Sequence, residues 1–166
     1  GAPIGSDKLA FLPFGNGVER ILQNTPMGAH LMGLDLLKHD QNHILRAAQE
    51  GIIAALTFGF RIMKDMGTDL KTVKAGHANM FLSPLFRETF VQMNQVNLEL
   101  YDTDGAQGAA RGAGIGAGIF STEEEAFHGL TLLQTLAPDP TGADRYEETY
   151  QYWLTRLEQL RQPLAT

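Results

Sequence analysis

Apolar residues recur every three or four positions between residues 40 and 66, which is the period of an amphipathic helix. No proline interrupts this stretch, Asp40 is suited to cap its start, and Gly67 is suited to follow its end. The helix is long and apolar on two sides, so we expect it to be central. Gly51 and Gly59 lower its intrinsic helix propensity, and they would let another element approach it closely.

The rest of the pattern alternates short strands with helices. Residues 1–38 are punctuated by glycine and proline, which predicts loops with one or two short strands. Residues 72–75 and 96–101 have the composition and the alternation of strands. Ser83 and Pro84 predict a helix start, because a hydroxyl suits the N-cap and proline suits the first helical position. Further helices are predicted over residues 105–118 and 143–162, and a short one is predicted to follow the capping residues Ser121 and Thr122.

This order of elements predicts the fold class. A strand, a helix and a second strand in succession imply a right-handed parallel crossover, so we expect an α/β chain that is helix-rich with a short parallel sheet. Two strands are few for a parallel sheet, because such sheets are normally buried and larger. We therefore expect the chain to be part of a longer protein.

Composition and charge narrow the classes of function. The 166 residues include 13 Lys and Arg against 19 Asp and Glu, which gives a formal net charge of −6. Such a chain offers no basic surface for nucleic acid or an anionic membrane. The absence of cysteine excludes disulfides, thiolate zinc sites and cysteine nucleophiles. No apolar run approaches the roughly 20 residues of a membrane span, and no signal peptide is visible, so we expect a cytoplasmic protein.

The glycine-rich run over residues 105–118 invites a dinucleotide-binding interpretation. Residues 112–117, GAGIGA, fit the pattern G-x-G-x-x-G/A. That site, however, needs the run directly after a strand and an acidic residue about 20 positions further on. The favoured interpretation is a helix lined with glycine and alanine, whose small residues would let it pack tightly against a sheet and let its amino end come close to a ligand or a neighbouring loop.

Histidines and aromatic residues are the other candidates. His39 and His43 have the spacing of two zinc ligands on a helix, but the glutamate after the first histidine and a third ligand are missing, which favours an ordinary surface pair. His77 lies in the loop after the strand at 72–75, where α/β folds place ligands. The aromatic residues of the last helix predict a stripe that docks it on the core: Tyr146, Tyr150 and Trp153.

Six segments, in the same order along the chain, resemble motifs of the FGGY carbohydrate kinases. They are similar to the family's LP-x-x-x-GER, G-x-x-x-GL, RA-x-x-EG, Gly-Gly-Gly-Ala, SPLWR and GALGAA motifs. Within the family the xylulokinase branch is the most similar, because Arg145 and Tyr146 with the closing helix resemble its tail. The six segments are residues 12–20, 28–34, 46–52, 75–78, 83–87 and 105–110.

The resemblance implies a partial actin-like, ribonuclease-H-like ATPase domain. Residues 1–120 would be the later part of the family's C-terminal kinase domain, and residues 121–166 a C-terminal helical extension packed on it. The full enzyme would transfer the γ-phosphate of ATP, with Mg²⁺, to a pentulose, converting D-xylulose to D-xylulose 5-phosphate. The family's catalytic aspartate and its ketopentose contacts lie upstream, so this chain alone is expected to bind nucleotide without phosphorylating a sugar.

The resemblance also implies a nucleotide loop. Ala75, Gly76, His77 and Ala78 stand where the family has Gly-Gly-Gly-Ala, and Asn79 would reach the adenine or the ribose. The chain departs from the family here, because Ala75 and His77 replace glycines and residues 79–82 are additional. Whether His77 contacts the nucleotide or only shapes the loop stays open.

Two further pairs of residues receive expected roles from the resemblance. Gly105 and Gly108 would support the nucleotide site by packing, and Glu19 and Arg20 would form an interdomain or structural pair. The alternative to a kinase fragment is a helical interaction or dimerisation module without a nucleotide site. A homodimer of that kind would use the edge of the strand at 72–75 and the long helix.

Overall fold

The computed structural model describes residues 1–15 and 22–161. In this part of the chain short strands alternate with helices, as the sequence pattern predicts. The strands are β1 (Ala10–Phe14), β2 (Gly28–Met32), β3 (Thr72–Gly76), β4 (Asn97–Tyr101) and β5 (Leu132–Leu136). The helices are α1 (Gln41–Asp65), α2 (Pro84–Asn94), α3 (Gly105–Gly116), α4 (Glu123–Phe127) and α5 (Ala143–Arg161). Short 3₁₀ turns cover Asn79–Leu82 and Pro140–Gly142, and Ser6–Lys8 form a left-handed turn.

The long helix α1 begins and ends where the sequence predicts. The Asp40 carboxylate accepts hydrogen bonds from the backbone N–H groups of Asn42 and His43, and so caps the helix. Gly67 follows the last turn with a φ of +92°, a left-handed conformation that glycine adopts freely. Both ends of α1 are therefore set by local chemistry.

The strands form two sheets. β1 and β2 pair antiparallel, with Ala10 opposite Met32. β3 and β4 pair in parallel, with Thr72 opposite Asn97, which confirms the predicted crossover through α2. β5 pairs antiparallel with the other side of β4, so the second sheet is mixed rather than purely parallel.

Strand β5 corrects the sequence prediction, which makes residues 121–166 a helical extension. Four of the five residues of β5 are exposed, and its sequence, LLQTL, lacks the alternation of a half-buried strand. Its conformation depends on pairing with β4, which the local pattern does not contain. The division of the chain at residue 120 stays a prediction, although β5 joins the later segment to the sheet of the earlier one.

The core lies between α1, α2, α5 and strands β1 and β4. The aromatic stripe of α5 is buried as predicted, with Tyr146, Tyr150 and Trp153 no more than 3% exposed. The indole Nε1 of Trp153 also donates a hydrogen bond to the backbone oxygen of Phe11 at 2.9 Å. The last helix is thereby tied to the first strand.

Helix α1 approaches β1 closely at Gly51. A Cβ on Gly51 would lie 2.9 Å from the carbonyl carbon of Phe11 and 3.1 Å from its Cβ, and closer still to its carbonyl oxygen. Backbone atoms cannot yield as a flexible side chain can, so this position requires glycine. The predicted close approach to α1 is confirmed at this residue.

The glycine-rich helix α3 forms as predicted, but it does not pack tightly on a sheet. A Cβ would meet nothing within 4 Å at Gly105, Gly108, Gly112 or Gly116. Only at Gly114 is an atom close, the Phe120 ring at 2.7 Å. Small residues permit a close approach without enforcing one, and α3 is instead in contact with the short helix α4. In the described part of the chain Gly105 and Gly108 make no close packing contact, and their support of the nucleotide site stays a prediction.

Helix α5 carries polar residues along its exposed side, whereas α1 also exposes apolar residues such as Leu45 and Leu56. Their buried sides face the core described above. Among residues 1–15 and 22–161, no helix combines the length and the apolar character needed to cross a membrane.

Candidate functional site

The loop after β3 is tied to the end of β4. The backbone N–H of His77 donates to the carbonyl of Tyr101 at 2.9 Å, which extends the parallel pairing by one hydrogen bond. The N–H of Ala78 turns back to the carbonyl of Gly76, also at 2.9 Å. The chain therefore leaves the sheet in a tight turn directly beyond Gly76.

Gly76 lets the loops after β3 and β4 meet. A Cβ on Gly76 would lie 3.0 Å from the carbonyl carbon of Thr103 and 3.2 Å from the Cα of Asp104, and closer still to the Thr103 carbonyl oxygen. Because these are backbone atoms, a larger residue would force the two loops apart. Glycine is needed here for contact between protein segments.

An open cleft of about 610 Å³ lies at the carboxyl ends of β3 and β4. Its walls are the ends of these two strands, the first turns of α3, the helix α4 and Leu130. Asp104 caps α3 at the rim, because its Oδ1 accepts a hydrogen bond from the N–H of Gln107 at 2.8 Å. The amino end of α3 thus faces the same space as the ends of the parallel strands.

Acidic groups outnumber basic ones on the described walls of this cleft. Lys74 contributes a positive charge, while Asp104, Glu123 and Glu124 contribute carboxylates. At the amino end of α4, hydrogen bonds from the N–H of Glu124 itself and from the Thr122 side chain lower the pKa of the Glu124 carboxyl. The cleft is therefore a poor site for an unaccompanied polyanion.

Tyr101 brings an aromatic ring to the cleft wall. Its hydroxyl donates to Glu99 Oε2 at 2.7 Å, and this hydrogen bond raises the pKa of Tyr101 because it favours the neutral phenol. The Lys74 ammonium lies 6.0 Å from the centre of the same ring. Apolar surface on the other side comes from Phe127 and Leu130.

The structure places two of the five predicted nucleotide-loop residues on the cleft wall and three away from it. Ala75 and Gly76 line the cleft, whereas His77, Ala78 and Asn79 do not belong to its wall. The Nε2 of His77 lies 3.4 Å from Nη1 of Arg87 in α2. Asn79, with a φ of +50°, begins the 3₁₀ turn that leads to α2. A role for these five residues in nucleotide binding stays a prediction.

Sequence reasoning missed several groups that the fold brings to the cleft. Thr103 and Asp104 belong to no motif in the sequence, where the glycines that follow them form the recognisable pattern. An aspartate directly before a helical run is an N-cap signal, and it could have located Asp104 at the amino end of α3. Lys74 could have been found from strand alternation, which places it on the same side as Gly76. Glu19 and Arg20 lie outside the described residues.

The two histidines of the pair lie just before α1 and in its first turn. The rings of His39 and His43 are 5.4 Å apart between centroids, and His43 contacts the Asp40 carboxylate. Within residues 1–15 and 22–161, no three His, Asp or Glu side chains are grouped so that they could hold a metal ion.

No family model matches the chain, and no curated protein matches it in sequence. Solved structures do match its fold. The xylulose kinase from Rhodospirillum rubrum has a TM-score of 0.76 at 23% identity, covering 96% of this chain and 32% of that one. The ligand-bound xylulose kinase from Lactobacillus acidophilus has a TM-score of 0.78 at 20% identity, covering 96% of this chain and 33% of the other.

A third match comes from a kinase of a different substrate. The Plasmodium falciparum glycerol kinase with ADP has a TM-score of 0.71 at 19% identity, and the match covers 96% of this chain and 32% of the glycerol kinase chain. The chain therefore has the helix-rich, actin-like fold of sugar kinases, which confirms the predicted fold class. It spans about a third of the length of these structures.

Proposed function

We propose that this chain is the nucleotide-binding part of an FGGY-type sugar kinase. The observation that carries the proposal is the cleft at the carboxyl ends of the parallel strands β3 and β4, with Ala75 and Gly76 on its wall. Open α/β sheets bind ligands at this edge. Nucleotide is the ligand that the sequence resemblance implies here, and one structural relative was solved with ADP.

The cleft offers different chemistry to different parts of a nucleotide. Carboxylates accept hydrogen bonds, so Asp104 and Glu123 suit the hydroxyls of a ribose or the amino group of adenine. Lys74 supplies the charge that suits a phosphate. Tyr101 and Phe127 offer the apolar and aromatic surface that a purine ring covers on binding. These groups support a nucleotide better than they support a simple sugar.

Magnesium, which the kinase resemblance also implies, would enter with the phosphates of the nucleotide rather than occupy a preformed site of the described residues. No group of three His, Asp or Glu side chains among them is arranged to hold a metal ion. In kinases Mg²⁺ usually keeps several waters and binds through the phosphates with one or two carboxylates. We therefore assign no step of the reaction to a magnesium ion held by this chain.

The phosphate acceptor is proposed to be a pentulose, D-xylulose. The two xylulose kinases reported above are structural relatives, and the closing helix resembles the xylulokinase tail. Gluconate and glycerol kinases share the fold, so the fold does not choose the sugar. The base that removes the proton of the sugar hydroxyl would come from the part of the kinase outside this chain. The chain alone is expected to form no D-xylulose 5-phosphate.

Calorimetric titration of Mg·ADP into the chain tests the nucleotide proposal. Lys74→Gln is expected to weaken binding about tenfold, because it removes a charged hydrogen-bond donor from the cleft. Lys71→Gln is the matched control, because Lys71 pairs with Asp69 at the surface. His77→Ala and Asn79→Ala test the loop. The nucleotide assignment is wrong if no binding of Mg·ADP is measured. It is also wrong if Lys74→Gln, His77→Ala and Asn79→Ala all bind Mg·ADP as tightly as the unchanged chain does.

The second candidate is an interaction module in which a second copy covers α1 and β3. In the described part of the chain, β3 has a strand partner on one side only. Helix α1 also exposes Leu45, Leu56 and Met63. Light scattering with and without Mg·ADP separates the candidates. A stable dimer that ignores nucleotide favours the interaction module, whereas a monomer stabilised by nucleotide favours the kinase part.

A further inference from the structure

Helix α4 supplies one wall of the cleft at the carboxyl ends of β3 and β4. Among the residues of this helix, Glu123, Glu124 and Phe127 line the cleft. The other described walls are the two strand ends, the first turns of α3, and Leu130. The shape of the cleft therefore depends on how α4 is held against α3 and the sheet.

Helix α4 is too short to hold itself in place. It has 5 residues, whereas an isolated helix needs about 12–15 residues to be even marginally stable in water. Its start is capped, because the Thr122 hydroxyl accepts a hydrogen bond from the N–H of Glu125 at 3.1 Å. The Glu125 carboxylate in turn accepts from the N–H of Ser121 at 2.7 Å. These local bonds fix where the helix begins, but they do not fix its position relative to α3.

Two glycines in the left-handed conformation bound the segment that carries α4. Gly118 has a φ of +72° and Gly129 a φ of +82°. A Cβ on either residue would meet nothing within 4 Å, so glycine is needed there for the backbone conformation and not for space. Residues 119–128 are therefore a separate segment between two turns, and contacts with α3 must set its position.

The amino-terminal side of this segment is held by Phe120. Its ring lies 2.7 Å from the place where a Cβ of Gly114 would be, and Gly114 is the one glycine of α3 with an atom so close. The carbonyl of Gly114 also accepts hydrogen bonds from the N–H groups of Ile119 and Phe120, at 2.8 and 3.4 Å. The segment is thus attached to the end of α3 before α4 begins.

The carboxyl-terminal side of the segment is held by Arg111. The Nη1 of this α3 residue donates a hydrogen bond to the backbone oxygen of Ala126, near the end of α4. The last carbonyls of a helix have no donor within the helix, and an arginine that reaches them also interacts favourably with the helix dipole. Gly108, one turn before Arg111 in α3, lines the cleft. The hydrogen bond therefore joins α3 and α4 beside the cleft that both of them line.

We propose that Arg111 is a positioning residue that holds α4 as a wall of the cleft, so that a ligand meets the wall already formed. The inference rests on the proposed function for the identity of that ligand, a nucleotide. Arg111 is not among the residues that line the cleft, so it acts through α4. Without its hydrogen bond the Ala126 carbonyl loses its donor, and α4 departs more often from its place. Part of the binding free energy must then order α4, which weakens the binding of nucleotide.

Hydrogen exchange of the backbone amides of residues 126–128 and calorimetric titration of Mg·ADP, both on the whole chain, test the proposal. Arg111→Gln is expected to make opening of α4 about tenfold more frequent and to weaken Mg·ADP binding about tenfold, the effect of losing one hydrogen bond from a charged donor. Arg111→Lys keeps a charged donor and should recover part of both losses. Arg145→Gln is the matched control, because Arg145 is exposed on α5 and does not line the cleft.

The proposal is overturned if Arg111→Gln leaves the exchange of α4 as it is in the unchanged chain. It is also overturned if α4 exchanges faster while Mg·ADP binds as tightly as before, because the role of Arg111 would then be structural only. Exchange in α5 must stay unchanged, which separates loosening of α4 from general unfolding. If Arg111→Gln folds poorly, Arg111→Lys decides, since both of its smaller shifts must have the same direction. If the unchanged chain binds no Mg·ADP, the proposed function fails, and faster exchange of α4 in Arg111→Gln still supports the positioning role.

Discussion

Replacing Gly51 by alanine should push α1 away from β1 and destabilise the fold, although alanine is the better helix former. The new methyl carbon would lie 2.9 Å from the carbonyl carbon of Phe11, and ordinary van der Waals contact begins at 3.4 Å, so the two elements must separate by about 0.5 Å or more. The same Phe11 carbonyl accepts the indole hydrogen bond of Trp153 at 2.9 Å, which the displacement would also disturb.

Three contributions decide the size of this effect. Overpacking of a well-filled core costs about 1–3 kcal/mol. Weakening of the Trp153 hydrogen bond adds about 1 kcal/mol. The gain in helix propensity offsets roughly 0.5–1 kcal/mol. Gly51→Ala should therefore lower the free energy of unfolding by about 2 kcal/mol, which lowers Tm by roughly 4–8 °C for a chain of this size.

Gly112→Ala is the matched control, because Gly112 also lies inside a helix but a Cβ there would meet nothing within 4 Å. Only the helix-propensity gain applies, so this variant should be more stable by roughly 0.5–1 kcal/mol. Urea unfolding followed by circular dichroism measures both. The argument fails if Gly51→Ala is as stable as the unchanged chain, or if the two variants change stability in the same direction.

Three further predictions follow from the polar contacts of the core. Burial raises the pKa of the Glu50 carboxyl above 4.5, so this carboxyl holds its proton more tightly in the folded form than in the unfolded chain. The stabilisation that the protonated carboxyl gives to the fold is fully present below pH 4.5, and it is lost as the pH rises through the pKa of the folded form. Urea unfolding over this range should show the advantage of the unchanged chain over Glu50→Gln shrinking as pH rises, and a constant difference would contradict the assignment. Ser83→Ala removes the hydroxyl that accepts the N–H of Phe86, so it should lower the free energy of unfolding by about 1 kcal/mol, measured by thermal unfolding. An unchanged stability would show that this N-cap hydrogen bond does not stabilise the fold. Trp153→Phe leaves the backbone oxygen of Phe11 without its donor and should cost about 1–2 kcal/mol by calorimetry, whereas an unchanged Tm would show that water replaces the indole.

The helices were predictable because their start signals are local. The Asp40 and Ser83 side chains each accept a hydrogen bond from the first turn of the helix that follows, as their positions in the sequence suggest. Strand β5 was not predictable in this way, because its exposed residues obey no alternation and its pairing with β4 joins separate parts of the chain. Local patterns identify capped helices and half-buried strands, but not an exposed strand at a sheet edge.

The candidate site was predictable in its position but not in its composition. The carboxyl end of the strand predicted at residues 72–75, and the loop after it, do lie at the carboxyl edge of the sheet. The reason for glycine at position 76 is its approach to Thr103, a contact between two loops that no local motif describes. Family motifs locate a loop, but the pairing of strands decides which side chains share its cleft.

The hydrogen bond between Trp153 and Phe11 has a consequence for synthesis on the ribosome. The two residues are 142 positions apart, and Tyr152 binds the carbonyl of Lys8 over a similar separation. At about 5–20 residues per second, β1 waits roughly 7–28 s after it is made before the helix that covers it has been translated. During that interval the apolar side of β1 lacks its final partner, so a nascent chain arrested before α5 is complete should be the form that chaperones bind most strongly.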